Sequence, residues 1–163
     1  MPQPTRRERT HAVRKKKVKK TTPRGKRPHP KYGTSKLEDR FAVEFLDRLG
    51  YKYIRQYEAR EIGRFYDFCI IREDGKILAL IEVDGDYYHG HGLVYEEKSP
   101  MQKHNETVDK IKNQWAHERR VPLLRIWEHD INNNPSEVIK TLKKEIGVAT
   151  KKQEKIDEKN KRH

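Results

Sequence analysis

A single cysteine, Cys69, excludes an intramolecular disulfide. No apolar run reaches the length of a signal-peptide core or a membrane span. An intracellular, soluble chain with no membrane partner is therefore expected, cytoplasmic or, in a eukaryotic cell, nuclear. Acidic residues are nearly missing from the first 36 positions, where Glu8 stands alone against fourteen Lys and Arg. Large apolar side chains are nearly missing there too, which excludes a core that could offset the entropy of ordering the segment. Gly-rich phosphate loops and internal repeats are also absent.

What is there begins with that charge. Of the net +13, all resides in the leader: from Leu37 onward 24 basic residues face 24 acidic ones. Residues 1–34 therefore read as a disordered basic arm. Arg14, Lys15, Lys16, Lys17, Lys19, Lys20, Arg24, Lys26 and Arg27 are its candidate contacts to a phosphate polymer. The remaining chain, 33% hydrophobic over all 163 residues, suffices for one modest core. Residues 35–147 are expected to hold it, and 148–163 to form a polar C-terminal tail.

The informative stretch runs from Arg64 to His89. Asp74-Gly75 between two apolar runs signals a hairpin with a two-residue type I′ turn. Counting outward from Glu73 and Lys76 sets Ile71 against Leu78, Ile70 against Ala79, Cys69 against Leu80, Phe68 against Ile81 and Asp67 against Glu82. Two carboxylates so opposed repel each other unless a counter-charge is supplied. Period two puts Asp84 on the face of Glu82, and a hard divalent cation is the natural counter-charge.

The flanking segments frame the hairpin. Ser35 and Glu38 predict a capping box, and Leu37, Phe41, Phe45 and Leu49 a first helix ending near Gly50, with Glu38 inside its apolar arc. Tyr51–Tyr57 reads as a strand carrying Gln56. Asn105–Arg120 reads as a helix and Val121–Trp127 as a strand parallel to Leu78–Glu82, a strand-helix-strand crossover. Asn134-Pro135 caps a last helix, with Gly147 as its stop.

The candidate catalytic set is Glu38, Asp67, Glu82, Asp84 and His89, with Asp67, Glu82 and Asp84 as metal ligands. Mg²⁺, or Mn²⁺ in its place, suits carboxylate ligands and a phosphodiester substrate. His89 titrates near neutrality and suits proton transfer. Gln56, Asp109, Lys110 and His129 are accessory candidates. His89, His91, His104 and Cys69 lack the spacing of a structural zinc site.

An acid on one strand followed by Glu-x-(Lys or substitute) on the next resembles the PD-(D/E)XK nuclease superfamily. Residues 35–131 run through a Ser-x-x-Glu helix, Tyr-Asp-Phe, Ile-Glu-Val-Asp-Gly-Asp-Tyr-Tyr-His, a helix, and Leu-Leu-Arg-Ile-Trp-Glu. That order resembles the very-short-patch mismatch repair endonucleases and the related EDxHD homing endonucleases. The resemblance implies a three-layer α/β, restriction-endonuclease-like core with a mixed sheet flanked by helices. It also implies a Mg²⁺-dependent DNA endonuclease of homing or repair type. By position, Asp67 would be the principal metal ligand, Glu38 the first-helix glutamate and His89 the catalytic histidine. Asp84 departs from the pattern by standing where the superfamily has lysine, so that role would fall to His89, Gln56 or a lysine such as Lys110. The competing reading is a nucleic-acid-binding protein that keeps the fold without catalysis, and RNA stays open beside DNA as the polymer bound.

Overall fold

A computed structural model describes residues 35–162. The basic arm and its nine candidate contact residues lie outside the described residues. The first helix starts as the sequence predicts. Glu38 N–H donates to Ser35 Oγ (3.1 Å), and Ser35 N–H donates to Glu38 Oε1 (3.2 Å), closing the capping box. Helix α1 spans Lys36–Phe41 and continues as a π-helical segment, Ala42–Asp47, in which Ala42, Phe45 and Leu46 are buried. The Phe41 and Phe45 rings stack at 5.1 Å.

Strands β1 (Lys52–Ala59), β2 (Arg64–Ile71) and β3 (Ile77–Asp84) form an antiparallel meander. Helix α2 (Asp86–His89) and helix α3 (Pro100–Glu118) then carry the chain to β4 (Leu123–Trp127), which pairs parallel to β3. The result is a four-stranded mixed sheet in the order β1-β2-β3-β4, flanked by helices. On one face Phe41, Phe45, Phe68, Ile70, Ile81 and Leu142 belong to one buried cluster. On the other, Tyr66, Cys69, Leu80, Trp115 and Ala116 form a second under α3. Each such fully buried side chain contributes roughly 1.5–3 kcal/mol relative to exposure. The near-continuous apolar run of β3 follows from cover on both faces.

The hairpin differs from expectation at its tip. The pairs Phe68–Ile81, Cys69–Leu80 and Ile70–Ala79 are as counted, but Ile71 pairs with Ile77, after a register shift between Ile70 and Ile71. The loop is one residue longer than a type I′ turn. Gly75 N–H donates to Arg72 O, Arg72 N–H donates to Lys76 O, and Gly75 sits at φ 82°. This is a turn followed by a left-handed glycine and a bulge, the favoured three-residue alternative.

Two later elements also depart from the sequence reading. Glu128–Asn133, to which the sequence reading assigns no element, forms helix α4. Helix α5 runs Pro135–Asn160, straight through Gly147 and the residues expected as a polar tail. Its far end is anchored by charge, because Asp157 takes both Arg72 and Lys76 of the hairpin tip. No helix among the described residues is long and apolar enough to cross a membrane.

Candidate active site

The β2–β3 ladder ends at Phe68–Ile81, and beyond it the strands open into a cleft of about 420 Å³. All of Glu38, Asp67, Glu82, Asp84 and His89 line it. The start of α1 supplies one wall and α3 the other, through Asn105, Val108, Asp109 and Lys112. Those four positions follow 0, 3, 4, 7 spacing, a single helical stripe that continues into buried Trp115 and Ala116.

Asp67 Oδ2 accepts the Val83 N–H at 2.7 Å, which ties it to β3 beside Glu82. Burial, reinforced by the neighbouring negative charge of Glu38, raises its pKa to about 6. Glu82 is only 4% exposed. Its pKa is pushed up to about 8, first by burial and then by Asp67, with Lys112 opposing. Lys112 Nζ donates to Glu82 Oε2 at 2.6 Å and lies 5.2 Å from the centroid of the Tyr66 ring. Glu82 Oε1 is buried without a hydrogen-bond partner. An orphaned carboxylate oxygen of this kind is costly unless something occupies it.

Asp84, 2% exposed, is held differently. Arg125 of β4, which pairs in register with Glu82, donates from Nη1 to both Asp84 carboxylate oxygens at 3.1 and 2.9 Å. Arg125 Nη2 also donates to Asp109 Oδ1 at 3.1 Å. His89 stands between the same two acids, with Nδ1 2.9 Å from Asp109 Oδ2 and Nε2 3.5 Å from Asp84 Oδ1. Hydrogen bonding to Asp109, aided by the charge of Asp84, raises the His89 pKa against the effect of burial. Asp109 is pushed up by burial, but His89 and Arg125 outweigh that and hold it below its ordinary value.

Gln56, on β1, stands behind the cleft lining and donates from Nε2 to Glu38 Oε2 at 3.0 Å. Lys110 does not reach it; its side chain is 72% exposed and pairs with Glu106 one helical turn back. The lysine that lines the cleft is Lys112, two residues on, where the α3 stripe turns inward. His129 is exposed and stacks on His91 at 5.2 Å, away from His89. Potential ligand atoms of Asp86, His91 and His129 lie within 4.8 Å of one another at this rim. Cys69, by contrast, is buried in the α3-side core.

Sequence reasoning missed Lys112, Arg125 and the supporting amides of α3. Gln102 Nε2 donates to Tyr87 O at 2.6 Å, and Asn105 Nδ2 donates to Tyr88 O at 2.9 Å, fixing the turn that carries His89. The signal for Lys112 was its place on the Asn105-Val108-Asp109 stripe. For Arg125 it was the parallel register with Glu82. Comparison with known proteins adds no relative: no family model, curated protein or solved structure matches the chain.

Proposed function

We propose that the cleft is the active site of a metal-dependent endonuclease that hydrolyses phosphodiester bonds in DNA, on a restriction-endonuclease-like core. The observation that carries this reading is the buried Glu82 carboxylate, which keeps one oxygen unpartnered beside Asp67 although Lys112 satisfies the other. Two acids whose protonated forms are favoured by burial, one of them with an orphaned oxygen, fit a hard divalent cation. Asp67 and Glu82 would hold Mg²⁺ or Mn²⁺, with Glu38 at the cleft wall. An ion held there would supply charge neutralisation for the phosphate and lower the pKa of a bound water.

The remaining groups have roles consistent with their partners. Asp84, balanced by Arg125, organises His89 rather than the ion. Lys112 takes the place of the superfamily lysine, entering from α3 instead of β3, and orients the attacking water. His89, whose protonated form is favoured by Asp109 and Asp84, acts as general acid. The water oxygen bonds to phosphorus and releases one proton to solvent, one P–O ester bond breaks, and the departing alkoxide takes its proton from His89, which regains one from solvent. Polycationic residues 1–34 supply attraction for the polymer.

The test is a cleavage assay on the full chain with duplex, mismatched and single-stranded DNA and with RNA, the ends being mapped. Cleavage that stops on chelation and returns with Mg²⁺ is expected on DNA. Binding of DNA with no cleavage of any substrate, across Mg²⁺ and Mn²⁺, would favour the non-catalytic binding protein.

A further inference from the structure

Strands β1 and β2 break their alternation at the same place. Tyr53 and Tyr57 are four residues apart and should share a face, yet Tyr53 packs with the α1/α5 cluster and Tyr57 with the α3 cluster. On β2, Tyr66 faces α3 while Phe68, two residues on, faces the other layer. The ladder pairs Arg55 with Phe68 and Tyr57 with Tyr66, leaving Gln56 and Asp67 as the unpaired step between them. Gln56 has φ 49°, a left-handed conformation that a residue other than Gly, Asn or Asp rarely adopts.

That step re-aims two side chains at once. Asp67 is released from the ladder and turns its carboxylate to the Val83 N–H in the cleft. Gln56 sends its amide across to Glu38, whose other oxygen is already engaged by the Ser35 N–H. Both oxygens of Glu38 are therefore fixed, by groups from two elements. Backbone strain retained at such a point is accounted for when the surrounding site uses the geometry.

We infer that Gln56 is a positioning residue, held left-handed at the shared break in β1 and β2 so that its amide fixes Glu38 against the Asp67–Glu82 pair for metal binding. The inference rests on the reading of the cleft as a metal site. Removing the amide should loosen Glu38, whose charge acts on Asp67, and weaken metal affinity on the order of tenfold, the low end of what loss of an outer-shell partner costs. Glycine at this position should relieve the left-handed backbone and leave the melting temperature equal or higher.

The experiment titrates Mn²⁺ alone into the full chain by calorimetry, with thermal melts, for wild type, Gln56→Met, Gln56→Gly and Asp67→Asn. Expected results are loss of binding in Asp67→Asn, at least tenfold weaker binding in both Gln56 variants, and no drop in melting temperature for Gln56→Gly. Mn²⁺ affinity of Gln56→Met within twofold of wild type, while Asp67→Asn loses binding, overturns the positioning role alone. No Mn²⁺ binding by wild type, or equal binding by Asp67→Asn, overturns the reading of the cleft and the inference with it.

Discussion

Glu82 and Lys112 form the site's most consequential contact because each is nearly inaccessible to water, at 4% and 8% exposure. Replacing Lys112 with Met leaves a buried acid without its cation, which should cost about 3 kcal/mol in urea unfolding. The cost should be largest above about pH 8, where Glu82 is ionised, and smaller below it. The pKa shifts also set a direction for the whole protein. Asp67 (about 6) and Glu82 (about 8) bind protons more tightly folded than unfolded, where such groups titrate near 4. Between about pH 4 and 8 the folded chain holds protons the unfolded chain has released, so this contribution to stability falls as pH rises. The slope is at most about 1.4 kcal/mol per unit for each group. His89, also raised, acts in the same sense. Unfolding at pH 5.5 and 8 should show lower stability at 8, with Glu82→Gln flattening the difference. Added Mg²⁺ should reverse the trend, since binding requires the ionised carboxylates. The acids themselves were legible in the sequence from turn and period. Their cations were not, because Lys112 and Arg125 arrive from elements whose rotation and register depend on tertiary packing.

At the scale of elements, the far end of the hairpin followed from counting and its tip did not. Asp74-Gly75 is compatible with loops of two or three residues, and the bulge between Ile70 and Ile71 absorbs the difference before Phe68 and Ile81 meet. Gly75→Ala should therefore destabilise by about 1 kcal/mol in thermal or urea melts, since alanine at φ 82° is strained. The crossover was also readable, although α3 begins at Pro100, five residues before the expected Asn105. Helix α5 was not, since the sequence after Gly147 has no stripe strong enough to predict it. What extends it is the long-range pairing of Asp157 with Arg72 and Lys76. Asp157→Ala should accelerate amide hydrogen exchange over residues 150–160 while leaving β2 and β3 protected. Equal protection throughout would mean that the helix holds by its own propensity.

For the whole molecule, charge is divided between a polycationic leader and a balanced folded part with an acidic cleft. The leader should govern affinity and the cleft chemistry. Replacing Arg14, Lys15, Lys16, Lys17, Lys19 and Lys20 by Ser in the full chain should lower the salt dependence of duplex binding by as much as about five units of log–log slope. Cleavage at saturating protein should survive it. The central claim, that Asp67 and Glu82 hold the ion that makes the cleft hydrolytic, is tested most directly by single-turnover nicking of supercoiled DNA in Mg²⁺ at matched, saturating binding. Asp67→Asn and Glu82→Gln should each bind DNA like wild type and nick it at least a thousandfold more slowly, about 4 kcal/mol of barrier. Nicking at the wild-type rate by either variant would contradict the claim.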